Sequence, residues 1–292
     1  MVSAMLILPA IDAIAKGLSD TISAGEVAWV RHFFQVIFLL PLLTRHSFSI
    51  EGPIWVHISR GVLMAVVTIF FFAALVVMPL ANAIAIFFIS PLIFTLLGAF
   101  FLGEPTEWRR ISVIMMGFLG ALLIIQPSYD DFGAISLLPV CAAISFAFYM
   151  LLTRKLARGG KIFSAISMQF YAGLFGTIFL TGVLIVGALM EVRFLAVVLP
   201  DQYEWSLLVL LAFIATIGHI LIALAASRIG AAQIAPFQYL EIIGATALGF
   251  VFFGDFPDQI AWIGIFIIIS SGLYIFNRET RDIRKAVETA KR

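Results

Sequence analysis

Apolar residues along this chain come in long runs separated by short polar breaks. Ten such runs cover residues 2 to 18, 25 to 43, 56 to 77, 80 to 102, 109 to 126, 133 to 153, 163 to 188, 206 to 226, 231 to 253 and 259 to 277. A hydrocarbon layer about 30 Å thick is crossed by roughly 20 residues of α-helix, so each run is predicted to be a membrane-spanning helix. Barrel strands would alternate polar and apolar residues, and backbone N–H and C=O groups cannot be left unpaired in lipid. With 62% hydrophobic and 12% charged residues, nothing remains for a separate soluble domain.

Charge tells the runs how to face. If both ends of the chain lie on one side, fifteen of the eighteen Lys and Arg residues fall on that side, including Arg45, Arg60, Arg109, Arg154, Arg228 and the tail RETRDIRKAVETAKR. The opposite loops hold only Arg193 against nine acids. Cytoplasmic loops carry the basic excess, so both termini are predicted cytoplasmic, and residues 278 to 292 form a solvated cytoplasmic tail. The net charge of +1 offers no basic face for nucleic acid. A single cysteine, Cys141, excludes an internal disulfide. The first residues lack the basic start of a secretory signal and carry Pro9 and Asp12 inside the apolar run, so they are read as the first span.

A shift of 151 residues aligns MPLANAIAIFFISPLIFTLLGAFFLGEP, from Met78, with IGAAQIAPFQYLEIIGATALGFVFFGDF, from Ile229. Ala81 meets Ala232, Phe88 meets Tyr239, and Ser90 meets Glu241. A one-residue gap then brings Gly120 onto Gly272. A repeat of five helices inserts its second copy from the opposite side, and inverted repeats place a substrate site between the halves near the midplane. The expected fold is therefore all-α: residues 1 to 127 as helices 1 to 5 and residues 128 to 277 as helices 6 to 10.

The ten-span plan, the repeat and the span-ending LGEP and FGDFP resemble the EamA branch of the drug/metabolite transporter superfamily over nearly the whole chain. IAPFQYLE (Ile234 to Glu241), GEVAWVRHFF (Gly25 to Phe34) and HISRG (His57 to Gly61) are similar to a sub-branch that includes bacterial S-adenosylmethionine and riboflavin importers. Where many EamA members carry a tryptophan in the first span, this sequence has Asp12. The resemblance implies a multi-pass carrier of the bacterial inner membrane that moves a small organic metabolite and needs no cofactor.

Glu241 is the only formal charge in its span. A carboxylate at bilayer depth costs about 2.5 to 3.5 kcal/mol on insertion scales, so it must face protein or water. Two readings stay open: it binds substrate or takes up a proton, or it pairs permanently with Arg31 or Lys16. Gln238 lies on the same helix face, and Pro236 would free a carbonyl a turn earlier, as Pro91 would beside Ser90. Asp12 and Lys16 are spaced for an i,i+4 pair. Arg31 has a guanidinium able to fork onto a carboxylate or stack on a ring. His32 and His219 are candidates for proton relay or plain packing. Trp29, Phe33, Phe88, Phe237 and Tyr239 cluster in sequence around these charges and are candidates to sandwich a flat ligand.

An intramembrane aspartyl protease needs two deep aspartates, and only Asp12 qualifies; GxSxG, HExxH and CxxC motifs are missing, so no catalytic residue, metal site or enzyme activity is expected. A channel is disfavoured because no filter-like loop repeats. The four deep charges, Asp12 and Glu241 against Lys16 and Arg31, sum to zero, which favours a neutral or zwitterionic ligand. Riboflavin uptake is the first expectation, S-adenosylmethionine uptake the second, and amino-acid or drug export the third. The expected partners are this substrate and membrane lipid, with Glu241 the candidate for proton coupling.

Overall fold

The computed structural model describes residues 2–43, 52–102, 108–157, 165–228 and 240–290. Among them every regular element is helical: α1 (Val2–Leu18), α2 (Ala24–Leu39), α3 (Ile54–Leu75), α4 (Leu80–Phe87), α5 (Ser90–Leu102), α6 (Trp108–Phe132), α7 (Leu138–Ala157), α8 (Ala165–Leu189), α9 (Gln202–Arg228), α10 (Leu240–Phe253) and α11 (Gln259–Ala290), with three short 3-10 turns. Each of the ten apolar runs contains helix. Among the described residues, five stretches are long and apolar enough by themselves to cross a membrane: Ile54–Leu75, Leu80–Gly98, Tyr129–Leu156, Ile166–Leu189 and Gln202–Ile222. Helix α6 passes the expected repeat boundary at residues 127 and 128 without a break, and α11 continues well into the hydrophilic tail.

Local chemistry sets the ends of these helices. Ser23 caps α2, its hydroxyl accepting the Glu26 N–H at 3.1 Å. Asp201 and Glu204 form a reciprocal capping box at the start of α9, each carboxylate accepting the other's backbone N–H at 2.7 Å. At the far end of α10, Gly254 adopts a left-handed φ of 70° that a side chain would resist, and this turns Asp255 back toward the bundle.

The fourth apolar run is two helices. Helix α4 stops at Phe87 and α5 starts at Ser90, with a tight turn in which Ile89 N–H bonds to Ile86 O at 3.2 Å. Pro91 accounts for the break: it donates no N–H, and its ring would collide with the Phe87 carbonyl in a continuous helix.

Small residues let the helices approach closely. Helices α6 and α11 meet at Gly120 and Gly264, where a Cβ on Gly264 would stand 2.6 Å from the Gly120 carbonyl oxygen. Helix α3 meets α8 at Gly61, and α1 meets α10 where Gly244 faces Pro9. Numbering the ten runs in order, with α4 and α5 as the fourth, the packing repeats under a shift of five. Helix α3 packs on α7 and α8, as α9 packs on α1 and α2. Helix α1 packs on α10, as α7 packs on α4 and α5; and α2 with α8, α4 with α10, and α6 with α11 pair with their own counterparts.

One expectation needs correction. Arg60, read as a boundary charge, is fully buried. Its guanidinium donates to Thr153 Oγ1 at 2.9 Å and Tyr149 Oη at 3.2 Å, and stacks over the Tyr149 ring. A planar fork can satisfy several neutral acceptors at once, which is why an arginine survives at this junction of α3, α7 and α8.

A candidate substrate chamber

Asp12, Arg31, Phe88, Ser90 and Glu241 come to the wall of one cavity. Helices α1, α2, α3, α7, α9 and α10 and the α4–α5 break enclose it. Ser90 and Glu241, which the 151-residue shift of the sequence aligns, each sit in the first turn of a helix and both reach the same space.

Arg31 is buried and held from two sides. Its Nη1 donates to Thr68 Oγ1, and Nη2 lies 3.2 Å from His219 Nε2. His219 Nδ1–H donates to the Ala215 carbonyl at 2.8 Å, which leaves Nε2 as an acceptor and the ring neutral in this arrangement. Thr68 completes the chain by donating to Met64 O at 2.9 Å. The guanidinium is thus fixed in place before any ligand arrives.

Lys16 does not share this space. It pairs with Asp255 at 2.5 Å, donates to Met78 O at 2.8 Å and lies over the Phe253 ring. The i,i+4 pair with Asp12 is therefore not formed, because the Gly254 turn delivers a nearer carboxylate. Nor does Lys16 or Arg31 serve as a permanent ion-pair partner of Glu241 among the described residues, since both are engaged elsewhere. Replacing Lys16 with methionine leaves the part-buried Asp255 carboxylate and the Met78 carbonyl without their donor. A stability loss of about 1–3 kcal/mol is expected, read as faster thermal inactivation of the purified protein; an unchanged rate would show the pair to be inert.

The remaining expectations divide. Trp29 is half-buried beside α8, where it donates to Thr181 Oγ1 at 2.8 Å and stacks on Phe33, outside the chamber lining. His32 donates to Ala28 O at 2.9 Å and packs against Gly176, also away from the chamber. Pro91 belongs to the helix break beside Ser90. Pro236, Phe237, Gln238 and Tyr239 lie outside the described residues. The sequence reading missed the aromatic wall of Phe71, Phe72, Phe87 and Phe146, in which Phe87 bridges Phe71 and Phe146 at 5.4 Å from each. It also missed Thr68, whose hydroxyl in an otherwise apolar stretch was the available signal.

The charged lining among the described residues is therefore two carboxylates and one guanidinium, set in an apolar and aromatic wall. Such an arrangement can hold a small organic ion; it offers no cluster of His, Cys, Asp and Glu for a metal among the described residues. The sequence profile of the EamA-like transporter family matches residues 1–126 and again 133–277. This chain belongs to the EamA-like transporter family. Among EamA relatives, the S-adenosylmethionine uptake transporter of Rickettsia bellii is 31% identical over 94% of this chain and 91% of its own length. The riboflavin transporter of Rhizobium johnstonii is 31% identical over 90% and 84%, and the pseudopaline exporter of Pseudomonas aeruginosa 25% identical over 88% of each chain. One solved crystal structure shares the EamA chain's fold with a TM-score of 0.60 at 18% identity, covering 92% of this chain and 93% of the other.

Proposed function

We propose that this EamA-family chain is a secondary carrier of the bacterial inner membrane that takes up S-adenosylmethionine by alternating access. The double family match and the packing pattern that repeats under a five-helix shift both support two inverted halves around the chamber. The basic bias supports cytoplasmic termini: without Arg60, fourteen of the fifteen residues remain on that side (15 − 1), against Arg193.

The balance of charge in the chamber carries the choice of substrate. With Lys16 drawn off to Asp255, Asp12 and Glu241 face a single Arg31. An unmatched carboxylate in a cavity enclosed by apolar helices is stabilised by a cationic ligand. S-adenosylmethionine carries an ammonium, a sulfonium and a carboxylate, hence one net positive charge, whereas the riboflavin ring is neutral. The relative from Rickettsia bellii, named for S-adenosylmethionine uptake, supports the same reading. Riboflavin remains a second reading because the phenylalanine wall suits a planar ring.

Cells expressing the chain should accumulate radiolabelled S-adenosylmethionine several-fold above cells with an empty vector, with no competition from excess riboflavin. Accumulation of riboflavin without S-adenosylmethionine would reverse the order of the two substrates.

A further inference from the structure

The three chamber charges differ in position as well as sign. Asp12 on α1 and Arg31 on α2 line the same cavity and interact electrostatically. Asp12 is nine-tenths buried, lines the cavity and has no hydrogen-bond partner among the described residues. Glu241 stands apart along the bundle. Helices α1 and α10 run parallel, because Pro9 meets Gly244 and Lys16, further along, meets Asp255. Asp12 lies three residues beyond the Pro9 contact and Glu241 three residues before the Gly244 contact. At 1.5 Å per residue their backbones are offset by about 9 Å along the axis. The two carboxylates feel one another across this offset and reach the same cavity from different levels.

This spacing has a chemical counterpart. The proposed substrate carries its ammonium and carboxylate on one carbon, and its sulfonium two methylenes further on. An ammonium needs hydrogen-bond acceptors and a carboxylate needs donors, so Asp12 and Arg31, which line the same cavity, suit that pair. A sulfonium has no N–H and is recognised by field and contact alone. A carboxylate with no partner among the described residues, facing an aromatic wall, supplies both.

We infer that the chamber reads its substrate charge by charge: Arg31 takes the α-carboxylate, Asp12 the α-ammonium and Glu241 the sulfonium. Glu241 then sets the preference for a sulfonium over the neutral thioether. The assignment rests on the proposed uptake of S-adenosylmethionine and goes beyond it, since a carrier could bind that molecule without distinguishing its sulfur.

The test is competition binding on purified protein, with labelled S-adenosylmethionine displaced by the thioether S-adenosylhomocysteine. Wild type should prefer the sulfonium on the order of tenfold, the ratio expected when one charge pair is made or lost in a partly wet site. Glu241→Gln should bring the ratio close to one while keeping the thioether's affinity. Asp12→Asn should weaken both ligands alike and leave the ratio unchanged. Equal binding of the two by wild type, or a wild-type ratio in Glu241→Gln, would overturn the assignment while leaving the uptake proposal standing. Binding of neither ligand by folded wild type would overturn both. If Glu241→Gln does not fold, the wild-type ratio and its persistence in Asp12→Asn decide the matter.

Discussion

Replacing Arg31 with glutamine is expected to abolish measurable uptake while the protein still reaches the membrane. Removing one member of a buried, hydrogen-bonded charged set costs about 2–5 kcal/mol, or roughly thirtyfold to several-thousandfold in affinity. Here the loss has two parts. The substrate carboxylate loses its cation, and Asp12 is left with no positive neighbour in an apolar enclosure. Lysine should not rescue the function. Its single ammonium cannot span Thr68 and His219 as the guanidinium does, so the charge would survive without its position. Uptake assays with membrane abundance measured in parallel check this; near-normal uptake by Arg31→Gln would remove Arg31 from the binding site.

Replacing Gly61 with leucine is expected to be the most damaging single change to the fold. A Cβ at that position would stand 2.6 Å from Phe175 Cβ, 2.9 Å from Gly176 N and 3.1 Å from Ala172 O. Two of those three atoms are backbone, so neither can rotate aside. Helices α3 and α8 would have to separate, dragging Thr68 from Arg31 and Arg60 from the α8 carbonyl of Met168. Overpacking typically costs about 1–3 kcal/mol even where side chains can adjust, and this site should exceed that range. Gly182 is the control: it also lies on α8, but a Cβ there meets nothing within 4 Å, so Gly182→Ala should be neutral. Comparable thermal inactivation of the two variants would contradict the packing argument.

The sequence made the helices legible because lipid imposes one solution on a long apolar run. The sequence shift that aligns Ser90 with Glu241 joins two residues that both stand in the first turns of helices and reach the same cavity. Three features were hidden because they depend on distant contacts. Lys16 and Asp255 are 239 residues apart, and only the turn at Gly254 brings them together. The nearest sequence partner, Asp12, was therefore the wrong one to expect. Arg60 looks like a charge at a span end, and nothing local reveals that Tyr149 and Thr153 converge on it from α7. The chamber phenylalanines belong to a set of 29, most with no distinguishing neighbours, so proximity to charges in sequence favoured Trp29 over Phe71 and Phe146.

The most direct measurement is protection of a thiol placed inside the chamber. Ser90 is 2% exposed, lines the cavity and is small enough to replace without crowding. In a Cys141→Ala background, Ser90→Cys should react with a water-soluble maleimide, and saturating S-adenosylmethionine should slow that reaction at least several-fold while an unrelated nucleoside does not. A thiol that never reacts, or one that reacts at the same rate with and without S-adenosylmethionine, would contradict a wet, substrate-holding chamber between the two halves.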